Sequence, residues 1–131
     1  MPGEVLAQLR SMCLALPESY EEPAWVGTRW RVRKRTFAHV LAVDLGAPPA
    51  LAGVASVIGA GTVLVFRSAG PELVALRNAG PPFFYVGWGR DAIAMTLDDD
   101  TDWTEVAELL TESYCAMAPK KLQAQVDRPP G

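Results

Sequence analysis

Two hydrophobic periods alternate along the chain, and each predicts a different kind of element. Over residues 3–16 apolar positions recur at helical spacing until Pro17, which predicts a first helix. A second helix is predicted over residues 68–80, with the serine that opens it as its cap and the glycine that closes it as its end. A third helix, capped by Thr101 or Asp102, is predicted to run to the next proline.

The region that begins at Trp25 changes to a period of two. Basic and apolar residues alternate there, which places the basic side chains on one face of a strand and the apolar ones on the other. The basic positions are Arg29, Arg31 and Arg33, and the apolar ones are Trp30 and Val32. The next residues, Lys34 and Arg35, are predicted to form a hairpin turn into a return strand over residues 37–44.

Further strand patterns complete the predicted sheet. Residues 62–67 are β-branched and apolar enough for a central strand, and residues 92–97 form another. Residues 18–23 are predicted to be an acidic loop, residues 46–61 a loose connection, and residues 81–89 an irregular aromatic stretch. The resulting order is α-β-β-β-α-β(β)-α. Short connections predict an α+β fold, with an antiparallel sheet of four to five strands and helices on one face.

Composition indicates a single globular domain without a membrane segment. The chain has 131 residues, half of them apolar. No apolar run approaches the roughly 20 residues of a membrane helix. The N-terminus lacks the basic-then-apolar order of a signal peptide, and two cysteines in helical patterns do not indicate a disulfide framework. We therefore expect a cytoplasmic protein with one domain over residues 1–122 and a disordered tail over residues 123–131.

Residue types that carry catalysis or bind metals occur here without the partners those chemistries need. His39 lies in an apolar strand, and no partner for it is identifiable by spacing. Cys13 and Cys115 fall on or near apolar helix stripes, which favours buried, inert thiols. The acidic run over residues 98–102 lacks EF-hand spacing, and the glycines over residues 59–61 precede a strand instead of opening a helix. We expect no enzyme, no metal site and no cofactor.

The distribution of charge indicates a phosphate-binding hairpin. The net charge is −3, yet five of the seven residues over positions 29–35 are basic. Arginines two apart on a strand lie about 6.6–7 Å apart, close to the spacing of phosphates along a nucleic-acid strand. The predicted nucleic-acid contacts, with DNA as the partner, are Arg29, Arg31, Arg33, Lys34 and Arg35. Alternatively, these side chains form a solvated face or pair with Glu18, Glu21 and Glu22.

An aromatic segment supplies the second hypothesis, a binding module for a small molecule or a protein partner. Aromatic side chains beside two glycines could line a groove, with an arginine as an orienting polar group. The predicted ligand-binding residues are Phe84, Tyr85, Trp88, Arg90 and Trp103. The alternative is that these rings cap one end of the core, because aromatic side chains bury large areas. The sequence does not indicate an oligomeric state.

An ordered set of segments resembles the MmcQ/YjbR-like family. The segments are Cys-Leu-Ala-Leu-Pro-Glu at 13–18, Trp-Arg-Val-Arg at 30–33 with Thr-Phe-Ala at 36–38, Val-Gly-Trp-Gly at 86–89, and the last helix to Leu122. The resemblance covers about residues 4–122 and implies a small α+β domain similar to frataxin-like and secretion-chaperone folds. Members are commonly labelled DNA-binding by analogy to a double-wing arrangement of strands. In this chain Lys34 replaces the small residue usual in the hairpin turn.

Overall fold

A six-stranded antiparallel sheet forms the framework of the computed structural model, which describes residues 3–24, 26–43 and 61–126. The described elements are α1 (Gly3–Leu14), β1 (Tyr20–Pro23), β2 (Thr28–Val32), β3 (Arg35–Val43), β4 (Gly61–Arg67), α2 (Gly70–Asn78), β5 (Phe83–Tyr85), β6 (Ala92–Leu97), α3 (Trp103–Met117) and α4 (Lys120–Gln123). The strands lie in the order β1-β2-β3-β4-β6-β5. The predicted α+β class and antiparallel sheet are confirmed, with six strands instead of four to five.

The two strands whose residues were not predicted as strand lie at the edges of the sheet. β1 pairs with β2, with Glu22 opposite Arg29, and β5 pairs with β6, with Phe84 opposite Ala94. The prediction of an acidic loop over residues 18–23 is therefore wrong, because residues 20–23 are held in a strand by backbone pairing. Glutamate and proline are depleted in strands, so sequence pattern alone did not reveal it.

The helices cover one face of the sheet and form the main core with it. α1 contributes Leu9 and Cys13 to this core, and both are fully buried. α3 contributes a longer apolar stripe, which includes Val106, Leu109, Leu110 and Tyr114. The Tyr114 hydroxyl donates to the carbonyl oxygen of Pro17 at 2.6 Å, and its ring meets Phe37 edge-on at 5.4 Å between centroids. Tyr114 thus links α3 to the sheet and to Pro17, which follows α1.

The opposite face of the sheet carries a second, smaller apolar cluster. Its buried members come from the three central strands and are Leu41, Val43, Val63, Val65, Ala92 and Ala94. Val26, Phe84, Val86 and Trp88 pack against this cluster as partly buried side chains. Strand alternation explains the division, since consecutive residues such as Leu64 and Val65 point to opposite faces.

A β-bulge at Phe37 interrupts the alternation in β3. Trp30 is opposite Ala38 and Arg31 is opposite Thr36, so Phe37 is the extra residue. Phe37 and Ala38 are consequently both fully buried in the helix-side core.

The helix ends agree only partly with the sequence signals. Asp102 caps α3, and its side chain accepts hydrogen bonds from the backbone N–H groups of Thr104 and Glu105. The prediction that Ser68 caps α2 is wrong. The cap position is Ala69, and the Ser68 hydroxyl donates to Glu72 instead. None of the helices in the described residues has the length and apolar character needed to cross a bilayer.

Two predicted segments lie wholly or partly outside the described residues. The loose connection over residues 46–61 is described only at Gly61, the first residue of β4. The tail predicted from Gln123 begins inside α4, and Val126 packs against the main core, while residues 127–131 lie outside the described range.

Candidate nucleic-acid interface

The basic hairpin turns on two long cationic residues. β2 ends at Val32 and β3 begins at Arg35, so Arg33 and Lys34 form the two-residue turn, one position earlier than predicted. Both adopt the left-handed conformation, with φ of 49° and 66°. Such turns favour asparagine and glycine, and side chains with a Cβ are disfavoured by about 1–2 kcal/mol per residue. The turn therefore keeps two cations at its apex at a conformational cost.

The two strand arginines face away from the helices and share one acidic partner. Arg31 donates from Nη1 to Glu22 Oε1 at 2.9 Å, and the Nη2 group of Arg29 contacts the same oxygen. Hydrogen bonding from Arg31, aided by the charge of Arg29, holds the pKa of Glu22 below its ordinary value. Glu22 consequently stays ionised at neutral pH and offsets one of the two positive charges.

The other acidic residues of this region pair with different arginines. Glu21 lies on the helix side, where it accepts bidentate hydrogen bonds from Arg10 at 2.8 and 3.0 Å and one from Trp30 Nε1 at 2.9 Å. Hydrogen bonding from Arg10 is the main cause of the lowered pKa of Glu21. Glu18 pairs with Arg33 at 3.2 and 3.3 Å. Pairing with acidic neighbours, the alternative drawn from the sequence, thus applies to three of the five predicted contact residues.

The hairpin tip, defined as Arg33, Lys34 and Arg35, carries the positive charge that is most accessible to a ligand. The side chains of Lys34 and Arg35 are exposed and make no ion pair within the described residues. Arg33 and Glu18 are about half exposed, with side-chain exposures of 53% and 54%. Such exposed pairs contribute only about 0–1 kcal/mol, so a phosphate competes easily with Glu18 for Arg33.

The predicted aromatic site is not assembled as one groove in the described part of the chain. Phe84 and Trp88 pack on the helix-free face, whereas Trp103 packs against the helix-side core. Tyr85 is 42% exposed, and Arg77 stacks on its ring with Cζ 4.2 Å from the centroid. Arg90 is exposed. A cavity beside Trp88 measures about 60 Å³, well below the roughly 300 Å³ of small-molecule pockets.

The histidine and the two cysteines lie in surroundings that indicate structural roles. His39 Nε2 lies 2.6 Å from the carbonyl oxygen of Val26 and donates its proton there. Burial lowers the pKa of His39, which keeps the ring neutral. Cys13 is fully buried, which raises its thiol pKa, and Cys115 is also buried. In the described ranges no three His, Cys, Asp or Glu side chains converge in a way that could hold a metal ion.

Acidic side chains collect at the end of the sheet that is opposite the hairpin tip. β3 leads from Arg35 at the tip to Val43, and the register then continues through Gly61 and Thr62 to Leu97. Beyond Leu97, a cavity of about 420 Å³ is lined by Pro81, Pro82, Met95, Thr96, Asp98, Asp100, Thr101, Asp102 and Glu105. Charge is therefore separated along the strands, with the basic tip at one end and this acidic cavity at the other.

Two contacts, one near each edge of the sheet, have a geometry that the sequence did not predict. The stack of Arg77 on Tyr85 joins residues of α2 and β5, and the sharing of Glu22 by Arg29 and Arg31 depends on β1. Both arise from the pairing of edge strands that the sequence pattern did not reveal.

Comparisons with known proteins identify the family. The YjbR family profile matches residues 14–116. The fold is similar to that in the crystal structure of the Deinococcus radiodurans protein DR2400, with its DUF419 domain, at a TM-score of 0.63 and 21% sequence identity. That similarity covers 92% of this chain and 86% of the other, while no curated protein matches. The profile match spans most of the chain, which therefore belongs to the YjbR family.

Proposed function

We propose that this protein is a non-enzymatic cytoplasmic domain that binds DNA weakly through phosphate contacts at the hairpin tip. The observation that carries the proposal is the turn itself, where Arg33 and Lys34 are both left-handed. Strained backbone is retained where the surrounding structure enforces it, and it concentrates at functional sites. Here the strained turn projects Arg33 and Lys34 beyond the sheet, next to Arg35 at the start of β3.

The ligand class follows from the chemistry of these side chains. Arginine matches phosphate oxygens with a planar fork of donors, and lysine adds a mobile point charge. A tip of three cations can neutralise about three phosphates, and it offers no set of groups that would read base edges. We therefore expect binding without sequence preference that is sensitive to salt.

The test is fluorescence anisotropy with labelled double- and single-stranded DNA across a salt series. Three phosphate contacts predict a slope of log K against log salt of about −2.7 on duplex DNA and about −2.1 on single strands. The Lys34→Glu/Arg35→Glu variant should abolish binding. A charge-matched control, Lys120→Glu/Lys121→Glu, changes two exposed lysines of α4 and should lose much less. Equal losses in the two variants would contradict a role for the tip.

A second candidate function is binding of a protein partner at the other edge of the sheet. Val74 and Tyr85 are 62% and 42% exposed, and Arg77 stacks on Tyr85 between α2 and β5. Tyrosine and arginine are enriched among residues that dominate interface energies. A photo-crosslinker at position 85 should capture one defined partner that the same crosslinker at Tyr20, an exposed tyrosine of the opposite edge, does not.

A further inference from the structure

We infer that Arg29 and Arg31 form a second phosphate site, which Glu22 occupies in the free protein as an internal substitute for the ligand. The inference rests on the proposed function, because the ligand of this site is the same nucleic-acid backbone. It assigns a regulatory role to a glutamate that otherwise only neutralises charge.

The pairing of Glu22 is incomplete compared with the other glutamate–arginine pairs of this region. Arg10 uses Nε and Nη2 on the two oxygens of Glu21, and Arg33 uses the same two groups on Glu18. Arg29 and Arg31 instead each reach Glu22 Oε1 through one terminal nitrogen. Two guanidinium groups thus converge on a single oxygen.

This arrangement leaves two donors unused. The Nε atoms of Arg29 and Arg31 are inaccessible to solvent and have no hydrogen-bond partner among the residues that the structure describes. Buried polar groups are nearly always hydrogen-bonded, so a pair of orphan donors on adjacent arginines indicates an acceptor that Glu22 does not supply. Both donors belong to side chains that already converge on an anion.

A phosphodiester suits this site better than a single carboxylate. The carboxylate of Glu22 is tethered to β1 and meets both arginines at Oε1. A phosphodiester has no such tether, so each of its two non-bridging oxygens can accept hydrogen bonds from one arginine. Once Glu22 leaves, the two guanidinium groups can turn their buried Nε donors toward the phosphate, which would satisfy donors that remain unpaired with Glu22. The carboxylate only has to rotate away, because Glu22 lies on the edge strand β1 and its side chain is partly exposed.

The second site is continuous with the hairpin tip. Arg31 Nη2 donates to the carbonyl oxygen of Lys34, so the guanidinium of Arg31 reaches the turn. One strand of nucleic acid that contacts the tip can therefore place its next phosphate between Arg31 and Arg29. In the free protein Glu22 competes for these two residues, which restricts the contact to the tip.

The experiment compares Glu22→Gln with Glu21→Gln, a matched change of the neighbouring carboxylate, whose partners lie on the opposite face. In the anisotropy assay Glu22→Gln should bind more tightly than wild type. Its salt slope should steepen by about 0.9 on duplex DNA, because this site adds one phosphate contact. Glu21→Gln should leave the slope unchanged. Glu22→Thr, which suits an edge strand, serves as the second variant if Glu22→Gln is poorly folded.

A second readout keeps this inference separate from the proposed function. Inorganic phosphate, followed through the Nε–H resonances of the arginines, should shift those of Arg29 and Arg31 in Glu22→Gln and not in wild type. If neither resonance shifts and the DNA slope is unchanged while the tip variant loses binding, the second site is wrong and the tip stands. If these resonances shift, and Glu22→Gln still binds DNA when Lys34→Glu/Arg35→Glu is added to it, the second site stands and the tip is wrong.

Discussion

The guanidinium of Arg31 donates a hydrogen bond to the backbone carbonyl oxygen of Lys34, across the turn that joins β2 to β3. The same side chain donates to Glu22 on β1. Arg31 therefore ties together the edge strand, the central part of the hairpin and the turn. A residue that the sequence presents as one of three equivalent arginines has a distinct structural role.

We expect Arg31→Gln to destabilise the protein by about 1 kcal/mol, because glutamine is too short to keep both hydrogen bonds. Arg35→Gln removes an equal charge from an exposed residue that has no ion pair in the described part of the chain, and should change stability by less than about 0.5 kcal/mol. Urea denaturation of both variants measures the difference. Equal free energies of unfolding would show that Arg31 does not brace the turn.

Replacing the turn residues with the preferred pair should separate stability from binding. Arg33→Asn/Lys34→Gly relieves two left-handed residues and should stabilise the fold by about 1 kcal/mol or more. It also removes two of the three tip cations and should weaken DNA binding. The control Arg33→Gln/Lys34→Gln removes the same charges without relieving the backbone, so it should lose affinity and gain no stability. Denaturation and anisotropy on both variants test this.

Gly27 should not tolerate a side chain. Its φ is +82°, and a Cβ built there would lie 2.0 Å from the carbonyl oxygen of Val40. Because that neighbour is backbone of β3, the clash cannot be relieved by a rotamer change. We expect Gly27→Ala to cost more than about 2 kcal/mol. Gly3→Ala, at a position with open space around it, is the control in the same denaturation assay.

His39 should make stability depend on pH in the range below about 6.5, the ordinary pKa of histidine. Burial lowers its pKa in the folded protein below the ordinary value of 6.5, and the neighbouring charge of Arg29 adds to the shift. Below pH 6.5 His39 binds a proton more readily in the unfolded chain than in the folded one, so the free energy of unfolding falls as the pH falls. His39→Gln retains a donor for Val26 and should flatten this dependence. A wild-type free energy of unfolding that is constant over this range would contradict the assignment.

Elements with a strong local signal were predictable from sequence. The cap at Asp102 and the apolar stripe of α3 are local features, and the alternation of Arg29 with Trp30 correctly separated the two faces of β2. β1 was missed and β5 was left as an optional strand, because their residues are held mainly by the strand beside them. The bulge at Phe37 was missed for a related reason. Two consecutive apolar residues in a sequence do not indicate that one of them is an extra residue opposite the paired strand.

The candidate site depended on these non-local features. Sequence placed the cations on one hairpin, but the division between the tip and the pair bound by Glu22 requires the register of β1 against β2. Likewise, Phe84 and Trp103 are both aromatic, yet the topology puts them on opposite faces of the sheet. Spacing along the chain cannot report which face a helix covers.

On the proposed function, the separation of charge along the strands would let a chain of net charge −3 bind a polyanion. β3 has nine residues, which at about 3.3 Å per step places its ends about 26 Å apart. The Debye length is about 10 Å at 0.1 M salt, so the acidic cavity lies more than two screening lengths from a strand bound at the tip. At lower ionic strength the same asymmetry acts as an electric dipole, which turns the tip toward a polyanion before contact and speeds association.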